Sequence, residues 1–373
     1  MQAVSPRIRS LDSWTPLGLA RILGAMSRRV ALLTPFASPS VRGNAVTVAR
    51  IAAGLRARGV DVGLWDLALT PDAAIERDVE AFAPDLVHGF HAFRVGPLAL
   101  RLARRLEAPL VVTLTGTDAN HDLFDPARAP IVRRVLEGAS RLIAFHRSIA
   151  DRVTSALPDL RERFVVVAQA VSLERGPAFP LADRWALPAS RVLFLFPAGI
   201  RAVKRPRLPL APFDVLTARR PEVRLLYAGP IVDRDEGLAL EAALRDRPWA
   251  RHVGEVPHGS MRSLLAASDV VLNCSLSEGG MANAVLEAFA MGRAVLASDT
   301  EGNRSLVEDG VTGLRFGDEA ALLAQAERLT VEPALRARLG AAGRSLVERR
   351  YPPEREIDGH LDAYRQVATV PAA

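Results

Sequence analysis

The sequence contains very little cysteine and lysine. Its one cysteine, Cys274, excludes an internal disulfide and any metal site built from several cysteines. Of the 48 basic side chains, only Lys204 is a lysine, and every other one is an arginine. A chain that uses arginine so consistently should keep a lysine only where a compact ammonium group does what a planar guanidinium does not. Lys204 is therefore the first candidate for a functional residue.

Aromatic residues and long apolar runs are also scarce. Aromatics make up 5% of the 373 residues, and no apolar run reaches the roughly 18–20 residues that a membrane-spanning helix needs. The net charge of +6 suits anionic partners such as nucleotides, phosphates or acidic lipid headgroups. The basic residues are scattered and not interleaved with aromatics, so we expect no nucleic-acid partner. We expect a cytoplasmic protein without a transmembrane segment, for which a peripheral membrane contact stays open.

Short apolar runs alternate with segments of helical periodicity along the chain. The run RRVALLTPF at 28–36 is followed by Gly43 and Asn44 and then by the helical pattern AVTVARIAAGLRARG. The alternation breaks in the linker-like segment up to residue 190 and starts again with RVLFLFPAGIR. This pattern predicts an α/β protein with two doubly wound parallel-sheet domains. Such sheets bind ligands at the carboxyl ends of their strands, so the cleft between the domains is the expected site.

The chain divides into five predicted segments. They are an N-terminal extension (1–27), a first Rossmann-like domain (28–172), a linker (173–190), a second Rossmann-like domain (191–350) and a C-terminal helix (351–373). The final segment is helical after its Pro-Pro pair, and we expect it to pack back on the first domain.

The segment AGIRAVKRP places Arg201 and Lys204 directly after the first strand of the second domain. A forked guanidinium and a compact ammonium at this point can bind one diphosphate together. Taken alone, the two side chains could equally be a solvated surface pair. The retention of a single lysine favours a functional role.

The most specific segment is SEGGMANAVLEAFAMGRAVLAS, residues 277–298. Glu278 lies in its loop, a Gly-Gly pair allows close backbone approach, and a helix is expected to begin near Met281. Glu287 then lies one or two turns inside that helix. One carboxylate can accept hydroxyls of a sugar and the other can bind a ribose diol, while the amides at the start of the helix face phosphate.

These motifs resemble the retaining glycosyltransferases of family 4, which have the GT-B fold, over roughly residues 28–366. The resemblance implies two Rossmann-like domains facing a central cleft, the first binding an acceptor and the second a nucleotide sugar. It also implies that Arg201 and Lys204 bind the diphosphate and that both glutamates bind the nucleotide sugar. The usual motif has seven residues between its glutamates, whereas eight separate Glu278 from Glu287. We attribute the difference to an additional glycine in the loop.

A narrower resemblance rests on five segments: GNAVTVARIAAGLRARG, TGTDAN, GIRAVKRP, GEVP and SEGGMANAVLEAF. Together they are similar to the glycosyltransferase 1 domain-containing proteins. Less closely, they resemble the selenosugar synthases of selenoneine biosynthesis, which use selenophosphate with a UDP-sugar. The motifs do not separate these two groups.

The residues and the resemblance together predict the site. The predicted donor-binding residues are Gly43, Asn44, Gly199, Gly229, Glu255, Val256, Gly279, Gly280, Met281, Ala282 and Glu287. The predicted catalytic residues are Arg201, Lys204, Glu278, Asp118 and His91. At strand ends of the first domain, the candidates for acceptor contacts are His88, His91, Thr117 and Asp118, the last of which is expected to face the cleft. Thr115 stands where many family members have a histidine.

An Asp-x-Asp spacing at Asp233 and Asp235 matches the metal-binding motif of glycosyltransferases with another fold. We interpret it instead as a polar loop that opens a helix with acidic residues. The resemblance implies that the arginine, the lysine and the helix dipole neutralise the leaving diphosphate. We therefore expect no metal and no other cofactor.

The sequence thus predicts a retaining glycosyltransferase that moves a sugar from a nucleotide donor, UDP-glucose or UDP-N-acetylglucosamine, to an unidentified small-molecule or glycan acceptor. A selenosugar synthase, a UDP-sugar epimerase of the same fold and a non-catalytic nucleotide-sugar binder remain alternatives.

Overall fold

The computed structural model describes residues 29–36, 43–173 and 175–368, so the expected N-terminal extension (1–27) lies outside the described residues. The described chain forms two α/β domains, each built on a six-stranded parallel sheet. The strands β3 (Leu86–Phe90) and β4 (Leu110–Leu114) are buried along their whole length, as expected where helices cover both faces of a parallel sheet. The prediction of two doubly wound domains is confirmed.

The first sheet has the strand order β2-β1-β3-β4-β5-β6. Its strands are β1 (Arg29–Thr34), β2 (Asp61–Asp66), β3 (Leu86–Phe90), β4 (Leu110–Leu114), β5 (Arg141–Ala144) and β6 (Phe164–Val166). Its helices are α1 (Gly43–Ala57), α2 (Asp72–Phe82), α3 (Gly96–Arg105), α4 (Thr117–Asn120), α5 (Ala129–Gly138) and α6 (Arg147–Ala156). Short 3-10 helices lie at Asp122–Phe124 and Pro158–Arg163.

The second sheet has the strand order β12-β11-β10-β7-β8-β9. Its strands are β7 (Val192–Pro197), β8 (Val223–Ala228), β9 (Ala250–His252), β10 (Val270–Asn273), β11 (Ala294–Ser298) and β12 (Leu314–Phe316). The helices from the interdomain segment onward are α7 (Leu181–Arg184), α8 (Leu210–Arg219), α9 (Arg234–Leu244), α10 (His258–Ala267), α11 (Asn283–Ala290), α12 (Glu301–Arg304), α13 (Glu319–Val331), α14 (Pro333–Arg350) and α15 (Pro353–Ala368). A 3-10 helix at Ala202–Lys204 follows β7.

The order of the second sheet reverses between β7 and β10, which are hydrogen-bonded neighbours. From β7 the chain winds outward through β8, and from β10 it winds the other way through β11. The connections that leave the two central strands therefore diverge and open a crevice at their carboxyl ends. The turn with Lys204 follows β7 and the loop with Glu278 follows β10, so this crevice brings the two segments together.

The interdomain segment is more ordered than a bare linker. It contains α7, and its Leu181 and Trp185 side chains are buried in the apolar core of the second domain. At the other end of the chain, α15 packs on the first domain through Ile357 and Tyr364. A buried ion pair with 2.7 Å between Arg50 Nε and Glu356 Oε2 ties α15 to α1. Within the described ranges, no helix has both the length and the hydropathy needed to cross a membrane.

Candidate active site

A cavity of about 290 Å³ lies between the two domains, at the carboxyl ends of both sheets. The predicted residues that line it are Gly199, Arg201, Lys204, Gly229, Val256, Glu278, Gly279, Met281, Ala282 and Glu287 from the second domain, and His91 and Thr117 from the first. The cavity therefore brings together residues that the sequence separates by almost two hundred positions.

An ion pair between Lys204 and Glu278 forms the polar centre of this cavity. Lys204 Nζ donates a hydrogen bond to Glu278 Oε1 at 2.6 Å, and the two side chains are 15% and 9% exposed. Ser275 Oγ and Asn273 Nδ2 donate to the same oxygen at 2.6 and 3.0 Å. Three donors thus converge on Oε1 and leave the other oxygen, Oε2, outside these bonds. An ammonium carries three N–H donors, so the bond to Glu278 leaves Nζ with donors for an anionic ligand.

The environment of Glu278 keeps it ionised. Burial raises the pKa of Glu278, but the Lys204 ammonium and the hydrogen bonds from Lys204, Ser275 and Asn273 lower it by more, and the resulting pKa lies below its usual value. Glu278 is therefore a carboxylate at neutral pH. Both cations lie on one short turn, since Arg201 is the N-cap of the 3-10 helix that ends at Lys204 and its carbonyl accepts from the Lys204 amide at 3.0 Å. The Arg201 side chain lines the same cavity.

Helix α11 begins at Asn283, two residues after Met281, near which the sequence predicted its start. Its N-cap residue is Ala282, whose methyl side chain cannot accept a hydrogen bond from the helix amides. The amino end of the helix, where the helix dipole favours an anion, borders the cavity through Met281, Ala282 and Ala284.

The glycines of the loop allow close backbone approach, as predicted, but the surface that approaches them is the first domain. A Cβ on Gly279 would lie 2.3 Å from the carbonyl oxygen of Thr115, and Gly280 has a φ of +97° that favours glycine. Gly280 packs against His146 and Ile149 of the first domain and does not line the cavity. The pair thus allows the two domains to touch. The prediction that Gly280 contacts the donor is not supported by its position.

Glu287 lies one turn inside α11 and lines the cavity. Its Oε1 is 3.3 Å from Nε2 of His258, the first residue of α10. Sequence reasoning missed His258, although its place directly after the GEVP segment and at the start of a helix could have indicated it. Glu255, in contrast, is exposed and does not line the cavity, so its predicted donor contact is not supported.

On the opposite wall, His91 follows β3 with a φ of +91°, a left-handed backbone that is rare for a side chain of this size. The Arg94 amide donates to His91 Nδ1 at 3.2 Å, which places the ring proton on Nε2. His91 Nε2 lies 2.9 Å from Thr117 Oγ1 and donates to it. The Thr117 hydroxyl, which accepts from His91, keeps its own proton to donate, and both side chains line the cavity.

Asp118 does not face the cleft, which corrects the prediction. Its side chain is fully buried, and its carboxylate accepts hydrogen bonds from the backbone amides of Ala92, Thr115, Gly116 and Ala119 at 2.8–3.3 Å. These hydrogen bonds hold the loop after β4 against the loop after β3. Asp118 is therefore a positioning residue for the acceptor side of the cavity.

His88 is also in the core and not in the cleft. Its Nδ1 lies 2.7 Å from the hydroxyl of Tyr364 on α15, and its Nε2 lies 2.7 Å from Thr113 Oγ1. Burial, and to a smaller degree the neighbouring His360, lower its pKa well below the usual value. The side chain points to the face of the sheet that α15 covers, so the expected acceptor contact is wrong.

Direct contacts join the two walls of the cleft. Asn120 Nδ2 donates to the Glu278 carbonyl at 2.9 Å, and His121 Nε2 lies 3.0 Å from Ser277 Oγ. Helix α1 begins at Gly43, two residues before the predicted helical pattern, and the predicted donor contacts of Gly43 and Asn44 lie outside the described part of the structure. One turn into α1, Thr47 Oγ1 accepts a hydrogen bond from Asn283 Nδ2 at 3.2 Å. The amino ends of α1 and α11 therefore meet across the cleft.

The Asp-x-Asp segment is a helix cap. Asp233 Oδ1 accepts hydrogen bonds from the amides of Asp235 and Glu236 at 3.1 and 3.3 Å, and so caps α9. Within the described ranges, no group of three or more histidine, cysteine, aspartate and glutamate residues could hold a metal ion. Metal independence of the activity stays a prediction.

Two families together match most of the chain. Residues 191–331 match the glycosyl transferases group 1, and residues 14–169 match the glycosyl transferase 4-like domain. The D-inositol 3-phosphate glycosyltransferase of Frankia alni is 30% identical over 363 residues, 88% of each chain. Glycosyltransferase 1 domain-containing protein 1 of Xenopus tropicalis is 26% identical over 324 residues, 85% of this chain and 92% of that protein.

Solved structures share the architecture. Anabaena HepE in complex with UDP and glucose superposes with a TM-score of 0.71 at 16% identity, over 90% of this chain and 98% of that one. Sucrose-phosphate synthase from Thermosynechococcus elongatus superposes with a TM-score of 0.72 at 19% identity, over 91% and 99%. The chain therefore has the GT-B fold. It belongs to the family 4 glycosyltransferases, the glycosyl transferases group 1, and is a glycosyltransferase.

Proposed function

We propose that this glycosyltransferase transfers a hexose from a UDP-sugar, UDP-glucose or UDP-N-acetylglucosamine, to a small-molecule or glycan acceptor with retention of configuration. The observation that carries the proposal is the convergence in one interdomain cavity of the Lys204–Glu278 ion pair, the amino end of α11 and the Glu287–His258 pair. HepE, which shares the fold, is described in complex with UDP and glucose.

The chemical groups of a UDP-sugar match the side chains and amides on the second-domain wall of the cavity. Lys204, Arg201 and the first amides of α11 supply positive charge and donors for the diphosphate. Glu287 offers carboxylate oxygens to the ribose diol, and His258 orients it. Glu278 fixes the Lys204 ammonium in place and offers Oε2 to a hydroxyl of the sugar.

The reaction proposed for this site depends on stabilising the leaving group. The bond between the anomeric carbon and the β-phosphate oxygen breaks, and UDP leaves with the electron pair. The acceptor oxygen forms a bond with the anomeric carbon from the same face, and its proton passes to the departing phosphate oxygen. Lys204, Arg201 and the helix amides stabilise the charge that develops, each contact contributing about 3–4 kcal/mol.

Two observations support attack without a covalent enzyme intermediate. The carboxylate of Asp118, the predicted acidic residue of the first-domain wall, is committed to backbone amides. Burial raises the pKa of the Cys274 thiol far above its usual value, so Cys274 is not a thiolate nucleophile although it lines the cavity.

The matched families and named relatives are glycosyltransferases, which does not favour the epimerase, the selenosugar synthase or the non-catalytic binder.

The test combines donor and acceptor screens. Calorimetric titration with UDP, GDP, ADP and their sugars identifies the donor, and the tightest one is then incubated with acceptor pools that include inositol phosphates and selenophosphate. We expect a product whose anomeric configuration, measured by NMR, matches that of the donor. Inversion of configuration, or an epimerised nucleotide sugar formed without acceptor, contradicts the proposal.

A further inference from the structure

Gln169 lies where the chain crosses from the first domain to the second. Val167, two residues earlier, belongs to the apolar core between the first sheet and α15, whereas Ala168 and Val171 pack against the core of the second domain. The crossing segment therefore forms the floor of the interdomain cleft. Gln169 is 6% exposed and lines the cavity that holds Lys204 and Glu278.

The Oε1 atom of Gln169 is buried and has no hydrogen-bond partner among the described residues. Other polar side chains of the cavity wall have hydrogen-bond partners, since Asn273 and Ser275 both donate to Glu278. A buried amide oxygen without a partner destabilises the fold, and native proteins pair nearly all such atoms. An unpaired one that lines a ligand cavity indicates a partner that arrives with the ligand.

The missing partner must carry an N–H or O–H group. The diphosphate has none at neutral pH, and the cations and helix amides of the second domain are suited to it. A primary amide both accepts and donates, which matches a hydroxyl group, and rotation about its terminal bond is soft enough to turn either end to the cavity. We propose that Gln169 binds a hydroxyl of the sugar in transit or of the acceptor, and so contributes to substrate selection. This inference rests on the proposed function.

The experiment uses Gln169→Met in the full chain, which keeps the length of the side chain and removes the amide. Without ligand, the melting temperature should stay equal or rise by about 1–3 °C, because an unpaired polar group is removed. The Kd for UDP should change less than twofold. If the partner is the donor sugar, the Kd for the UDP-sugar rises about 3- to 10-fold; if it is the acceptor, the acceptor KM rises by the same factor instead.

Two further variants separate a binding role from a structural one. Gln169→Glu keeps an oxygen that accepts hydrogen bonds. It should therefore keep the wild-type value of whichever quantity Gln169→Met changes, the ratio of UDP-sugar to UDP affinity or the KM for the acceptor substrate. Gln325→Met is the matched control, since Gln325 lies on α13 away from the cavity and accepts a hydrogen bond from Arg328. It should leave every binding constant unchanged.

The outcomes also distinguish this inference from the proposed function. A wild-type protein that binds no UDP-sugar defeats the proposed function, and the inference falls with it. A wild-type protein that binds and transfers, with all constants unchanged in Gln169→Met, overturns the inference alone. A parallel loss of UDP and UDP-sugar affinity also overturns it, because the partner is then the nucleotide or, where the melting temperature falls as well, Gln169 is a structural residue.

Discussion

The ammonium of Lys204 and the carboxylate of Glu278 meet at 2.6 Å although 74 positions separate them in the sequence. The turn after β7 and the loop after β10 bring them together at the point where the strand order of the second sheet reverses. The only lysine of the chain thus pairs with Glu278, the first of the two glutamates in its most specific motif. This pair is the centre of the proposed donor site.

The first prediction concerns the coupling between these two charges. Lys204→Met should destabilise the ligand-free protein by about 1–3 kcal/mol, because the nearly buried Glu278 carboxylate loses its cation but keeps its bonds from Asn273 and Ser275. The double variant Lys204→Met/Glu278→Gln should recover part of that loss. Denaturant unfolding of the two single variants and the double variant measures the coupling energy. The exposed pair Arg207–Glu236 is the control and should show less than about 1 kcal/mol; equal coupling in both pairs contradicts the buried ion pair.

The second prediction concerns the ribose end of the site. Glu287→Ala should weaken UDP binding by about 1.5–3 kcal/mol, the range for a hydrogen bond to a charged group. Glu241→Ala on α9 removes a carboxylate from a helix outside the cavity and should leave the affinity unchanged. Calorimetry with UDP measures both variants. An unaltered UDP affinity in Glu287→Ala removes this residue from the site.

The third prediction is that activity needs no divalent metal. Full activity in excess EDTA is expected, because Lys204, Arg201 and α11 supply the positive charge. Asp235→Asn should be as active as wild type. Asp233→Ala should keep its kcat/KM and lose about 0.5–2 kcal/mol of stability, since Asp233 caps α9. Loss of activity in EDTA that Mn²⁺ restores, together with an inactive Asp235→Asn, contradicts this account.

The fourth prediction concerns acid stability at the contact between α15 and the first sheet. Burial lowers the pKa of His88 well below its usual value, and burial also lowers the pKa of His360. Below about pH 6.5 the unfolded chain protonates these histidines while the folded protein keeps them neutral. The stabilisation is therefore complete above pH 6.5 and is lost as the pH falls below it, by up to about 1.4 kcal/mol per pH unit for each histidine.

Melting temperatures between pH 7.5 and 5.5 measure this effect. The ring of His360 is fully buried, so His360→Leu removes one titrating group and should make the pH dependence shallower. His252→Leu, at a half-buried ring in the second domain, is the comparison and should leave the slope closer to wild type. An identical slope in wild type and His360→Leu excludes this histidine as a source of the acid sensitivity.

The sequence predicted the donor wall more fully than the acceptor wall, for a physical reason. Lys204 and Glu278 lie in the segments that follow β7 and β10, and Glu287 lies one turn inside the helix after β10. Because the carboxyl ends of parallel strands meet at one edge of the sheet, these positions along the chain nearly determine where the three residues lie. The position of His88 within β3 does not reveal which face of the sheet its side chain occupies, and here that face is covered by α15. Asp118 lies at the carboxyl edge of the first sheet, but hydrogen bonds from backbone amides hold its carboxylate away from the cleft.

Contacts between the domains could not be predicted from local patterns. The bond from Asn120 to the Glu278 carbonyl spans 158 positions, and the choice of partner depends on how two separately folded sheets dock. The Gly-Gly loop was correctly identified as a point of close backbone approach. The approaching surface is the first domain, however, and nothing in the loop sequence distinguishes a ligand from a neighbouring domain.

The central claim is that Lys204 acts as a compact ammonium at the donor diphosphate, and the most direct test is the kcat/KM of Lys204→Arg for the UDP-sugar. A guanidinium differs in shape, reach and hydration, and beside Arg201 it would crowd the diphosphate. Arg207→Lys changes an exposed cation and is the control, expected to be silent. We predict that Lys204→Arg keeps the melting temperature of wild type and loses at least about tenfold in kcat/KM, or about 1.4 kcal/mol of transition-state stabilisation. Activity equal to wild type would contradict the claim, because the lone lysine would then do nothing that an arginine cannot do.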